Sequence, residues 1–323
     1  MSLQQEWRMS SVGLIINGRS SRVQSILGDL LHVARQFPNV RSCVLDGIDG
    51  LDRTLAELNR AKVDTVMMAG GDGTIQAAFT DAINMRRFEH APHYVAVPCG
   101  MTNVIAADCG LKGSPIDAVD QFLWRRNRGE VKREKRALMG LRIGERNAPV
   151  YGFFLGAGAF TAAVKFSRSE IQAKGAKRSL AMGLTIGGAI MNAAFDDLPK
   201  EPPLVADMRS MQSPFRGPEP MTMVLMTTLR RLVLGVNPFW GEGSGALAVT
   251  TIGFPAQKML SAAPSVLRGK SEPWFEDAGY RSWRTTALDA DFEGTVVFDG
   301  EFFNVSKGER VTIETTHDAD FLN

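Results

Sequence analysis

The chain has 323 residues, of which 44% are hydrophobic and 22% charged, with a formal net charge of +2. That length calls for two domains, and so small a net charge gives no electrostatic footing for nucleic-acid binding, so no nucleic-acid partner is expected. Cys43, Cys99 and Cys109 cannot all pair with one another and lack metal-ligand spacing, which fits a reducing cytosol.

Residues Met1 to Met9 contain no apolar signal-peptide core, and the first few read as a leader ahead of a natural start at Met9. Val12 to Ile16 predicts a strand ending in Asn17-Gly18. Helical spacing then runs from Ser20 to Phe37 through Val23, Ile26, Leu27, Leu30, Leu31 and Ala34. A second strand is expected at Val40 to Leu45, a second helix at Leu51 to Ala61, and further strands at Val63 to Ala69 and Tyr94 to Val97. This alternation predicts an α/β domain with a mainly parallel, Rossmann-like sheet and helices on both faces. Ligands of such sheets sit beyond the carboxyl ends of the strands. Asn17-Gly18, Gly70 to Thr74 and Pro98 to Asn103 all fall on that rim.

The run Gly70-Gly71-Asp72-Gly73-Thr74 lies between a strand and an amphipathic helix. Glycines there leave backbone N–H groups uncovered, and the helix aims its positive end at the same spot, so the loop suits a phosphate. As a bare turn it would need no acid. A carboxylate repels phosphate, so Asp72 points to a cation, a ribose hydroxyl or a proton-transfer network, and the combination points to a kinase. In Val95-Ala-Val-Pro-Cys-Gly-Met-Thr-Asn-Val-Ile-Ala106, Gly100 permits a close turn and Thr102 or Asn103 can cap the next short helix. The same loop could also contact a nucleotide through Gly100, Thr102 and Asn103.

Arg125 to Arg136 is a charge-dense connector, read either as a solvated hinge surface or as a contact for phosphate or membrane. Beyond it come short β-type segments at Ala137 to Ile143, Val150 to Leu155, Met221 to Thr227, Ala246 to Ile252, Thr295 to Phe298 and Arg310 to Glu314. Helical periodicity is confined to Phe160 to Phe195 and Ala256 to Leu267. This predicts an antiparallel β-sandwich domain. Pro199 to Pro220 reads as a long loop. Leu180 to Phe195, preceded by Lys174, Lys177 and Arg178, is too short to span a bilayer and reads as a helix covering a sheet end or resting on a membrane surface. Asp299-Gly300 between two apolar strands is a hairpin signal. Its flanking acids also suit a kinase, which needs a carboxylate to accept or orient a hydroxyl proton.

Taken in order, these motifs resemble the diacylglycerol kinase catalytic family, which includes sphingosine kinases and soluble bacterial lipid kinases and is more distantly similar to NAD kinases. The resemblance runs from Ile15-Ile16-Asn17 through Gly70 to Thr74, Pro98 to Asn103 and Tyr151 to Phe160, and ends in Asp299-Gly300-Glu301. It implies a nucleotide domain over 1–130, a lipid-binding sandwich over 131–314, a tail of 315–323 packing back on the first domain, and a site between the two. It further implies ATP with Mg²⁺ as cofactors and Asn17, Gly70, Gly71, Asp72, Gly73, Thr74, Ile75, Gln76, Gly100, Thr102 and Asn103 as nucleotide contacts. Glu301 is the implied base, with Asp299 and Asp72 as further catalytic acids.

The implied reaction moves the γ-phosphoryl group of ATP to a hydroxyl of a diacylglycerol-like or other amphiphilic alcohol. The implied location is the cytoplasm, with transient contact at the inner membrane surface. Ala77, Met101 and Val104 depart from the family pattern, which has Glu, Thr and Asp there. Ser244 replaces an Asp of the structural Mg²⁺ motif, so no structural Mg²⁺ is expected; no protein metal ligand is assigned, and Asp72 is implied to help place the Mg²⁺ of the nucleotide or its waters. A catalytically silent nucleotide- or lipid-binding homologue is one alternative. A small-molecule kinase near NAD kinase is another, against which the Pro98 loop and the Asp299-Gly-Glu ending argue.

Overall fold

The structure, a computed structural model, describes residues 11–145, 147–174 and 203–323. Met1 to Met9 and the apolar stretch Leu180 to Phe195, with Lys177 and Arg178, lie outside the described residues. The chain divides into two compact units, one of residues up to Arg136 together with Asp318–Asn323, the other Ala137–His317.

In the first unit the order is β1 (Val12–Asn17), α1 (Ser21–Gln24), α2 (Leu27–Arg35), β2 (Val40–Leu45), α3 (Leu51–Arg60), β3 (Thr65–Gly70), α4 (Asp72–Asn84), β4 (His93–Pro98), α5 (Val104–Cys109) and α6 (Pro115–Asn127). The strands lie side by side in the order β2-β1-β3-β4 with every pair parallel, and Phe321 near the carboxyl end of the chain pairs parallel beside Tyr94. Val12, Leu14 and Ile16 point to one face, where α2 supplies Leu30, Val33 and Ala34 and α6 supplies Val119, Phe122 and Leu123. The i, i+3, i+4 spacing of those residues is what makes each segment an amphipathic helix. On the other face Leu58 of α3 packs over Gly13, where a Cβ would lie 2.6 Å from its methyl carbons. Burying each such leucine contributes about 2 kcal/mol.

The helix expected over Ser20 to Phe37 is two helices. The turn at Ser25 and Ile26 separates them, with the Ser25 hydroxyl donating to the Arg22 carbonyl at 2.9 Å in competition with helix continuation.

The second unit contains β5 (Arg133–Ile143, entering from the first unit), β6 (Val150–Gly152), β7 (Phe154–Gly158), α7 (Ala159–Lys174), β8 (Leu204–Arg209), β9 (Glu219–Thr227), β10 (Leu247–Gly253), α8 (Met259–Leu267), β11 (Tyr280–Thr285), β12 (Ala287–Asp291), β13 (Gly294–Phe298), β14 (Glu301–Val305) and β15 (Arg310–Leu322, leaving to the first unit). One antiparallel layer runs β14-β13-β7-β9-β10-β11. The other joins β8, β12, β15, β5 and β6. Strand β8 belongs to both, since Leu204–Ala206 pair with β9 and Asp207–Arg209 with β12. Alternate residues of the two layers, such as Leu155 and Ala157, Val224 and Met226, Leu288 and Ala290, Val311 and Ile313, form one apolar core.

Within Pro199 to Pro220 the expected long loop gives way to β8. Leu204, Ala206 and Met208 turn inward with period 2 and bury themselves, and that burial outweighs the surrounding prolines.

Arg125 to Arg136 is solvated only in part: Arg125, Arg128, Glu130, Lys132, Arg133 and Lys135 are exposed, but Arg126 and Arg136 are buried. Its first residues finish α6 and its last begin β5, and its two most buried cations are paired inside the first unit. Arg126 reaches Asp64 at 2.5 Å and the Thr65 hydroxyl at 3.3 Å, while Arg136 holds Asp108 at 2.6 Å and Glu134 at 2.6 Å. Arg133 and Lys135 face Asp320 and Asp318 at the surface.

Candidate functional site

The sheet order places the topological switch between β1 and β3, because the chain goes from β1 outward to β2 and then returns to the other side of β1. Asn17 ends β1 and Gly70 ends β3, and their loops are tied directly. The Asn17 Nδ2 donates to Thr74 Oγ1 at 2.8 Å, while its Oδ1 accepts the Arg19 N–H at 3.0 Å. Ser20 closes the third side by donating to the Cys99 carbonyl at 2.9 Å. The three rim segments expected to converge thus do so within one unit.

Gly71 is extended and precedes α4, whose first turn has no side-chain cap. The helix's leading N–H groups and its positive end therefore face the loop. Gly70 lies against Thr74, whose side chain a Cβ would meet at 2.7 Å. Gly71 and Gly100 meet backbone to backbone, since a Cβ on Gly100 would be 2.7 Å from the Gly71 Cα. Only glycine permits that approach. Uncovered main-chain donors beside a helix N-terminus suit the oxygens of a phosphate chain. Ile75 and Gln76 bury their side chains in α4.

Asp72, the first residue of α4, is buried and does not face the open side of the loop. Its Oδ2 accepts the Val104 N–H at 3.0 Å and its Oδ1 the Ile105 N–H at 3.2 Å, and the Thr102 side chain also hydrogen-bonds to it. Burial pushes the Asp72 carboxyl above its ordinary value, against the opposing pull of these donors. The cap expected from Thr102 or Asn103 is therefore supplied from another loop. Asn103 sits in the left-handed region (φ 54°, ψ 43°) and its side chain turns back on Gly100, accepting from the backbone N–H at 2.6 Å and donating to the carbonyl at 2.8 Å. Val104 contributes its main chain, and Met101 is exposed.

In the second unit Asp299 and Gly300 have φ of +46° and +89° and form the two-residue turn between β13 and β14, with Phe298 opposite Glu301. Positive φ at both positions is the type I′ hairpin geometry that Asp-Gly favours. The Asp299 carboxylate is buried and accepts the Phe153 and Phe154 N–H groups, each at 2.9 Å, where the chain passes from β6 to β7. A Cβ on Gly152 would overlap Asp299 Oδ2. Glu301 is exposed, and no described residue bonds its carboxylate.

Sequence reasoning missed Ser20, Gly152, Asp108 and Arg136 as parts of these frameworks. For Asp108 a signal existed, a lone acid in Val104-Ile-Ala-Ala-Asp-Cys109, and a buried acid there demands a cation. Gly152 left none, because its constraint comes from Asp299, far along the chain.

The family model for the diacylglycerol kinase catalytic domain matches residues 11–131. Among curated proteins none matches the chain in sequence. Three solved structures from Bacillus anthracis str. Sterne are similar in fold. Two are of candidate diacylglycerol kinases. One has a TM-score of 0.68 at 13% identity, covering 97% of this chain and 96% of that one, and the other a TM-score of 0.66 at 13% identity, covering 97% and 94%. A third, described as a diacylglycerol kinase, has a TM-score of 0.62 at 12% identity and covers 97% and 96%. At such identities the structures speak for the two-domain fold, an α/β domain followed by an antiparallel β domain, and the sequence match speaks for the family. By that match residues 11–131 are similar in sequence to the diacylglycerol kinase catalytic domain.

Proposed function

We propose that the protein is an ATP-dependent lipid kinase that transfers the γ-phosphoryl group to a hydroxyl of a diacylglycerol-like or other amphiphilic alcohol. The observation that carries the reading is the rim of the first unit. There Asn17, Gly70 to Thr74 and Gly100 to Asn103 are locked together beside the uncapped end of α4. Main-chain N–H groups of Gly71 to Gly73 at the start of α4 would hold the phosphates, and Asn17, Thr74 and the Gly100 turn would keep the loop in shape. Phosphoryl transfer asks mainly for such positioning and charge stabilisation.

Mg²⁺ supplies shielding of the phosphate charge when bound. It is coordinated in good part by phosphate oxygens and needs few protein carboxylates, which suits a site whose nearest acid already accepts two N–H bonds. The reading assigns Glu301 the proton of the acceptor hydroxyl, because it is the acid of its hairpin that is left exposed. Among the described residues no helix is long and apolar enough to cross a membrane. Transient contact with a membrane surface belongs to the same proposal, since the acceptor lives there.

The test is purified protein with γ-labelled Mg-ATP and a panel of diacylglycerols, monoacylglycerols, long-chain amino alcohols and NAD in mixed micelles. Label on one or more of the lipids supports the reading, and label on NAD alone moves the protein to the small-molecule branch. A second reading, nucleotide binding without turnover, is favoured by one observation: the side chains of Val104 and Met101 bring no oxygen ligand to the rim. ATP binding with no labelled acceptor would select it.

A further inference from the structure

Asp72 and the short helix α5 share an unusual division of labour. Helix α4 begins at Asp72 yet receives no side-chain cap, while Asp72 gives both its oxygens to α5, more than thirty residues away in sequence. Residue Asn103, in the N-cap position of α5, spends its side chain on Gly100 instead. The first N–H groups of α5 therefore depend on Asp72, and Asp72 depends on them to offset its burial. Beside this clamp Gly100 approaches Gly71 so closely that a Cβ on Gly100 would lie 2.7 Å from the Gly71 Cα. A carboxylate with each oxygen on a main-chain donor has its charge offset by those donors. That resolves the repulsion an acid in a phosphate loop would otherwise cause.

We propose that Asp72 is a positioning residue that holds the Pro98 to Asn103 loop in register with the Gly70 to Thr74 loop, so that nucleotide affinity depends on it whether or not Mg²⁺ is present. The inference rests on the reading of this rim as a nucleotide site. It differs from a role in proton transfer or metal placement, because its effect falls on the phosphate-binding geometry.

The experiment is equilibrium ATP binding to the full chain, once with EDTA and once with Mg²⁺, for wild type and Asp72→Asn, with thermal unfolding to confirm that the variant is folded. Asn keeps one acceptor but sets an amide N–H₂ against a backbone donor. The expected result is an affinity loss of about tenfold or more, by the same factor in EDTA and in Mg²⁺. Should Asp72→Asn not fold, Gly100→Ala parts the same two loops without touching the carboxylate and is expected to show the same Mg²⁺-independent loss. A loss seen only with Mg²⁺ overturns the proposal in favour of metal placement, and an unchanged affinity in both conditions overturns it outright. If wild type binds no ATP in either condition, the nucleotide reading fails and the inference falls with it.

Discussion

Two Asp-Gly steps of this protein, Asp72-Gly73 in the first unit and Asp299-Gly300 in the second, look alike in sequence and do similar things by different geometry. Asp72 leads into a helix and Asp299 sits in a left-handed hairpin position, yet each buries its carboxylate against two consecutive backbone N–H groups of a distant segment, Val104-Ile105 and Phe153-Phe154. What separates them is what each leaves uncovered. Beside Asp72 it is the main-chain end of α4, while beside Asp299 it is the side chain of Glu301. The difference teaches that an acid inside a conspicuous motif can serve as its framework. The chemistry is then left to the groups that the framework exposes.

The largest stability effect expected from this comparison is at Asp299. Asp299→Ala leaves two buried N–H groups without an acceptor and should destabilise the second unit by about 3 kcal/mol, read by urea unfolding followed through Trp240, Trp274 and Trp283. A loss below about 1 kcal/mol would break the parallel with Asp72. Gly152→Ala sharpens it further. The added methyl must displace the same carboxylate, so a loss of about 2 kcal/mol is expected, and Asp299→Ala made in the same chain should cancel part of it in a double-mutant cycle.

A surface pair sets the scale at the small end. The Arg133 guanidinium, 2.5 Å from Asp320, holds that carboxyl below its ordinary value of 3.8. With the folded pKa depressed, the stabilisation is fully present above the unfolded value and is lost as pH falls through the folded one. Asp320→Asn should therefore cost less than about 1 kcal/mol at pH 7 and remove a small part of the acid sensitivity below pH 3.8. A larger effect than at Asp299 would mean that burial is not what distinguishes the two anchors.

Much of the first unit was legible locally. Strands and helices alternate with clear periodicity, and each rim loop carries a glycine at a strand end, so the parallel sheet and the converging loops follow from the pattern. The second unit was harder to read. Strand β8 hides among prolines, and only its partners on β9 and β12 show that Leu204, Ala206 and Met208 are a buried edge rather than loop residues. The ion pairs of Arg126 and Arg136 were illegible because Asp64 and Asp108 lie in other elements, so a run of charges looked solvated. Asp72 was found for its motif, but its partners were hidden because the Val104 and Ile105 N–H groups belong to another helix.

The central claim is that the framework acids hold the site and the exposed glutamate acts, and it meets its most direct test in Glu301→Gln. Phosphoryl transfer from γ-labelled ATP to an accepted lipid, the ATP affinity and the thermal unfolding midpoint are measured side by side with wild type. We predict turnover lower by about 100-fold or more, with affinity and midpoint unchanged, because Glu301 is exposed and bonded to no described residue. Full turnover in Glu301→Gln would contradict the account.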